Sequence, residues 1–150
     1  MRTALLFLHV LGAGTWLGAN ITQAIATPQF VKAGGETAAR WWQMTVRMGR
    51  LLYPPAVAVI LLSGIFLITT SNGGYEFSDR FVSVGFAMVI IGGVLGVTYF
   101  GPRGERAAER RQAGDAAGAA PIEQGLARVG LLDTALLVIT ILAMVSRWGV

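Results

Sequence analysis

Four long apolar stretches constrain the fold of this chain more than any other feature. They run approximately over residues 3–26, 51–70, 81–100 and 131–146. Each is close to the 20 or so residues that a helix needs to cross about 30 Å of hydrocarbon, although the fourth is short. Because backbone groups in lipid must be hydrogen-bonded internally, these stretches are predicted to be helices. The expected fold is all-α, an integral membrane four-helix bundle forming a single domain.

Composition supports this class and excludes several kinds of site. Apolar residues make up 54% of the 150 residues and charged residues 13%, whereas soluble domains carry about 25% charged residues. The absence of cysteine excludes disulfides and thiolate chemistry. With a single histidine, a zinc or non-haem iron site would depend on carboxylates, and only Asp133 lies in an apolar stretch. No catalytic triad, metal cluster or phosphate-binding loop is visible, which argues against an enzyme.

The basic residues predict an orientation. Three of the twelve, Arg2, Arg80 and Arg147, fall on one side of the predicted bundle. The other nine lie in or beside the connections 27–50 and 101–130: Lys32, Arg40, Arg47, Arg50, Arg103, Arg106, Arg110, Arg111 and Arg128. The positive-inside rule then places both termini outside and these two connections in the cytoplasm. Arginines placed beside spans favour contact with a lipid bilayer and do not indicate nucleic-acid binding.

The connections and the first stretch allow further predictions. The first half of 101–130 is expected to extend the third helix, with a flexible break over Gly114–Pro121. Residues 36–53 could form an interfacial helix with Arg40, Gln43, Arg47 and Arg50 on one face. The first stretch also resembles a secretory signal, with Ala24–Ala26 as a cleavage site. Its length and its polar residues favour a retained span.

One polar stripe runs along the first predicted helix. On a period of 3.6 residues, Trp16, Asn20 and Gln23 fall within about 40° of His9, as does Arg2. Since lipid cannot satisfy an imidazole or a carboxamide, the stripe is expected to face the bundle. His9 could bond a neighbouring helix, bind haem iron as an axial ligand or transfer protons.

Other residues suggest local roles. Two small-residue pairs, Gly14 with Gly18 and Gly92 with Gly96, follow the GxxxG pattern and predict close helix approach. Pro54 and Pro55 predict a kink or the start of the second span. A membrane carboxylate needs a partner, so Asp133 is expected to pair with Arg47 or Arg50, or to belong to a site. Met44 and Met48, one turn apart, could bind Cu(I) as soft ligands.

Several of these motifs together resemble a known family. LHVLGAGTWLGAN, then RMGRLLYPPAVAVILLSG, then a glycine-rich third span running into YFGPRGERA are similar to the CopD-like superfamily of small bacterial membrane proteins, which includes the HemJ-type protoporphyrinogen oxidases. The resemblance implies a four-helix bundle in the bacterial inner membrane, with haem b bound at His9. The HemJ pattern has a lysine early in the third span, where this chain reads FVSVGFAMV, so protoporphyrinogen oxidation is not expected.

Three hypotheses of function follow. The first is a haem b protein with a redox or haem-handling role, in which Gly12, Gly14 and Trp16 shape the pocket around His9. The second is a non-catalytic accessory subunit that docks another membrane subunit or a second copy through its glycine faces. The third is a copper or small-solute permease, which would have to oligomerise to line a path.

Overall fold

The computed structural model describes residues 1–148, and the chain is helical over most of that length. The helices are α1 Arg2–Ala33, α2 Gly35–Leu51, α3 Tyr53–Thr69, α4 Arg80–Leu95, α5 Gly101–Gln112 and α6 Ala116–Ser146. A π-helical segment, Gly96–Phe100, joins α4 to α5. No residue from 1 to 148 lies in a strand.

These elements form four long helical rods. α2 continues into α3, and α4 continues through the π-helical segment into α5, while α1 and α6 are single helices of 32 and 31 residues. All four rods are long and apolar enough to cross a membrane. The prediction of an all-α chain with four membrane-spanning helices is confirmed in helix number, length and apolarity.

The predicted connections contain more helix than the sequence suggested. Residues 27–50 continue α1 to Ala33 and then form α2, and residues 101–130 form α5 and the first half of α6. The extension of the third span is confirmed. The flexible break over Gly114–Pro121 was wrong, because only residues 113–115 interrupt the helices and Pro121 lies inside α6. Pro121 is the sixth residue of α6, so its missing N–H removes one backbone hydrogen bond near the start of the helix without ending it.

Glycine and a capping residue set two of the breaks. Gly34 and Gly35 have φ of 70° and 51°, a left-handed conformation that separates α1 from α2. Gly114, with φ of 75°, lies in the short connection after α5. Asp115 then caps α6, since its Oδ1 accepts a hydrogen bond from the Gly118 N–H at 2.8 Å.

Two apolar clusters hold the helices together. One lies within the spans and consists of Trp16, Ile60, Met88, Val89 and Leu137. The other joins the helices beyond the spans and consists of Trp42, Ala107, Ala108 and Leu126. α1 packs mainly on α3, and α2 packs mainly on α5. We call the end formed by α2, α5 and the first part of α6 the basic end, because these segments carry eight of the twelve basic residues.

The α2 helix is packed on the protein along one face. Trp42 and Thr45 are buried, whereas Arg40, Gln43, Arg47 and Arg50 are all exposed. The predicted shared face of these four residues is therefore confirmed. Trp42 is enclosed by helices and is not at the surface, because α5 and α6 cover it.

Candidate functional site

The polar stripe of α1 faces the other helices, as predicted. Trp16 is buried, and the side chains of His9, Asn20 and Gln23 are half-buried against α3 and α6. At the far end of the stripe, Arg2 donates to the Tyr75 hydroxyl at 2.9 Å. The stripe therefore contributes polar groups to the bundle at several depths.

A chain of hydrogen bonds crosses the bundle between α1, α3 and α6. Gln23 Nε2 donates to Tyr53 Oη at 2.9 Å, and Tyr53 Oη donates to Asn20 Oδ1 at 2.7 Å. Asn20 Nδ2 then donates to Asp133 Oδ2 at 2.8 Å. All three bonds point towards the carboxyl group, so Asp133 is the terminal acceptor of the chain.

The other carboxyl oxygen of Asp133 accepts no hydrogen bond of normal length and angle, although the Trp16 side chain lies close to the carboxyl group. Asp133 is 5% exposed, and its Oδ1 is the one buried side-chain nitrogen or oxygen among residues 1–148 that lacks a hydrogen bond. Gly92 of α4 lies beside it: a Cβ on Gly92 would be 3.6 Å from Oδ1 and would overlap the Trp16 indole. The orphan oxygen therefore sits in the interior, between α4 and the buried tryptophan.

The expected pairing of Asp133 with arginine was wrong. Arg50 instead forms an ion pair with Glu105 of α5, and within the described residues Arg47 makes no ion pair. Asp133 pairs with the Asn20 amide because α6 packs on α1 at this depth. Asp133 is thus left without a cationic partner in the described structure.

His9 forms a separate polar contact with α3. Its Nδ1 lies 3.0 Å from the Ile60 carbonyl oxygen and 3.1 Å from Ser63 Oγ. Ser63 itself donates to the Val59 carbonyl oxygen at 2.5 Å. If Nδ1 carries the proton and donates to Ile60, Nε2 is the nitrogen with a free lone pair.

The other residues expected to form a haem pocket are not assembled around His9. Gly12 is buried, and a Cβ there would lie 2.8 Å from the Ile60 side chain. Trp16 belongs to the core of the spans. Gly14 faces outwards and lines an open groove with Phe7, Val10, Leu11 and Thr15. Among the described residues, the surroundings of His9 therefore offer one nitrogen to haem iron, and the residues predicted to shape the pocket do not enclose a space for the macrocycle beside it.

An apolar layer separates the His9 contact from the Asp133 chain. Asn20 follows His9 by 11 residues, which corresponds to about 16 Å along a helix. Trp16 lies between them and packs on Ile60, Met88 and Leu137. The two polar sites are therefore distinct.

A buried ion pair at the basic end was missed by the sequence analysis. Arg111 Nε and Nη2 donate to the two Glu123 carboxylate oxygens at 2.8 and 2.6 Å. Trp42 Nε1 donates to Glu123 Oε1 at 2.8 Å. The two charged side chains are 9% and 6% exposed, and the hydrogen bonds to Glu123 raise the pKa of the Arg111 guanidinium. The ion pair joins α2, α5 and α6.

The small-residue pairs and methionines have different surroundings from one another. A Cβ on Gly14, Gly18 or Gly96 would meet no other helix, whereas Gly92 contacts Trp16. Close helix approach at Gly14 and Gly18 is therefore not seen among residues 1–148. Met44 and Met48 line a groove with Arg47, Leu51 and Leu52. Over residues 1–148, no group of three or more His, Cys, Asp or Glu side chains could hold a metal ion, and Cu(I) binding stays a prediction.

Together, the four apolar rods and the interior carboxyl group define the class as a small helical membrane protein with an ionisable group inside the bundle. No family model, curated protein or solved structure matches the chain. The resemblance to the CopD-like superfamily therefore stays a prediction.

Proposed function

We propose that this protein binds and releases a proton at Asp133 inside the membrane and acts as a proton-transfer component of a bacterial inner membrane. The observation that carries the proposal is the buried Asp133 Oδ1, which accepts no hydrogen bond of normal length and angle although Oδ2 is held by Asn20. In membrane helices, an ionisable group in such a position is first considered as a functional group.

Electrostatics favour a proton at this oxygen. A carboxylate held in a low-dielectric interior with one hydrogen bond of normal geometry is unfavourable unless a cation compensates its charge. The sequence has no Lys or Arg between residues 2 and 32, 50 and 80, 80 and 103, or 128 and 147. The spans thus supply no basic side chain other than His9, which lies beyond the apolar layer. A proton is the smallest cation that can neutralise Asp133 without a coordination shell.

The neighbouring residues position the carboxyl group. The amides of Asn20 and Gln23 are poor proton carriers, so their role is to fix Oδ2 and the Tyr53 hydroxyl through hydrogen bonds. Trp16 and Gly92 border Oδ1 and limit the access of water. Tyr53 begins α3 at the basic end, so a proton that crosses the bundle by way of Asp133 is proposed to enter or leave on that side, which the positive-inside rule places in the cytoplasm.

The test is proton flux in proteoliposomes. A pH gradient and a potassium diffusion potential are imposed together across the vesicle membrane, and an entrapped dye reports the internal pH. Wild-type protein is expected to dissipate the gradient faster than empty vesicles, and Asp133→Asn should abolish the difference. Glu109→Gln makes the same chemical change on an exposed carboxylate and should have no effect. Equal flux from wild type and Asp133→Asn, or flux driven by Na⁺ in place of protons, would refute the proposal.

Haem b at His9 is the second candidate, supported by the Nδ1 contact with Ile60 that leaves Nε2 free. Such a haem would have to bind outside the packed interior. A reduced-minus-oxidised visible spectrum of protein from haem-replete cells tests it: haem bands in wild type that disappear in His9→Ala support ligation. A colourless wild-type protein would eliminate this candidate and leave the Asp133 proposal untouched.

A further inference from the structure

The exposed side of α2 presents apolar residues where the second apolar span begins. Met44 is 57% and Leu51 is 69% exposed, although both lie before α3 begins at Tyr53. With Met48 and Leu52, they line a groove of about 280 Å³ on the surface of the basic end. An apolar surface at this position is unfavourable in water and requires a covering partner.

The charge beside this groove selects the kind of partner. Arg47 lines the groove itself, and it makes no ion pair within residues 1–148. Arg50, three residues later, is also exposed, although it pairs with Glu105. A guanidinium disfavours a cation such as Cu(I) in the same groove, and it favours a phosphate oxygen.

The position of the groove identifies the partner further. It lies at the junction of α2 with α3, where a span begins next to Pro54 and Pro55. A ligand there must combine an anionic group with an apolar chain, because the groove offers both a guanidinium and aliphatic or thioether side chains. Phospholipids of the adjoining leaflet have this chemistry and are present at high local concentration.

We infer that this groove binds one anionic phospholipid, with its phosphate on Arg47 and the upper part of an acyl chain against Met44, Met48 and Leu51. The lipid covers the exposed apolar side of α2. It also fixes the depth of the α2–α3 junction at the membrane surface, independently of what the Asp133 site does.

Native mass spectrometry of the whole protein with added phosphatidylglycerol or phosphatidylcholine tests this inference. Wild type should retain phosphatidylglycerol preferentially. Arg47→Gln should weaken retention about fivefold, the effect of one basic residue near an anionic surface. Arg40→Gln removes an exposed arginine of the same helix that pairs with Glu36, so it should leave retention unchanged.

Three results would overturn the inference. Equal retention of the two lipids would show that charge does not select the ligand. Equal loss in Arg47→Gln and Arg40→Gln would show a diffuse basic surface without a defined site. Disulfide crosslinking between two copies of the Met44→Cys variant, undiminished by phosphatidylglycerol, would assign the groove to a second copy of the chain. Arg47→Lys keeps the charge and should retain most of the binding, which excludes misfolding as the cause of a loss in Arg47→Gln.

Discussion

The Arg111–Glu123 pair provides a stability prediction that can be worked out from the structure. Glu123 accepts two hydrogen bonds from Arg111 and one from Trp42, and both charged side chains are less than one tenth exposed. Glu123→Gln keeps the shape of the side chain and removes its charge. It also places an amide N–H₂, which can only donate, where a carboxylate oxygen accepted a hydrogen bond. Removing one partner of a buried ion pair costs about 3–5 kcal/mol, because the other charge is left uncompensated.

For a chain of this size, that loss corresponds to a fall of roughly 6–20 °C in Tm. The assay is thermal unfolding in detergent, followed by circular dichroism, with hydrogen exchange of α5 as a local measure. Glu36→Gln is the matched control: its carboxylate pairs with Arg40, both side chains are 75% exposed, and such a pair is worth about 0.3–0.5 kcal/mol.

A double variant tests the cause of the loss. Arg111→Met in the Glu123→Gln background removes the uncompensated cation and should recover stability, because apolar replacement of a whole buried pair is often neutral. If Glu123→Gln loses less than about 1 kcal/mol, or if the double variant is as unstable as the sum of the single ones, the pair does not hold the basic end together.

Two further predictions concern packing and pH. Gly92→Ala should destabilise the protein by about 1–3 kcal/mol, because the Trp16 indole occupies the space of the new methyl group. Gly14→Ala is the control, since its methyl group would contact no other side chain, and it should lower the free energy of unfolding by no more than about 0.5 kcal/mol. Arg110 and the Gly118 N–H lower the pKa of Asp115, so its stabilisation of α6 is present above the ordinary aspartate pKa and is lost as the pH falls through the lowered value. Asp115→Ala should therefore speed hydrogen exchange of the backbone amides in the first turn of α6 at neutral pH. In this variant, the exchange rate should no longer show the loss of the cap at acidic pH.

The spans and the polar stripe could be predicted because each depends on a local constraint. Bilayer thickness fixes how many apolar residues a span needs, and the helical period alone places Asn20 on the same side as His9. The stripe could be predicted to face other helices because lipid offers no polar partners.

The partners of the polar residues could not be predicted, since they depend on which helices are neighbours. The sequence places Asp133 and Arg50 near the same end, and only the packing of α6 on α1 brings Asn20 to the carboxyl group. Glu123 follows Arg111 by 12 residues across a helix break, so no short-range spacing marks the pair. The Ala- and Gly-rich composition of Gly114–Pro121 suggested a flexible break because the helices that pack against this segment are not visible in the segment alone.

The most direct test of the central claim is infrared difference spectroscopy of the protein in lipid nanodiscs during a pH titration. The proposal predicts a carbonyl stretch of a protonated carboxylic acid in wild type that titrates with pH and shifts in D₂O. This band should be missing in Asp133→Asn and unchanged in Glu109→Gln. An identical set of carboxyl bands in wild type and Asp133→Asn over the whole titration would contradict the claim that Asp133 binds and releases a proton within the bundle.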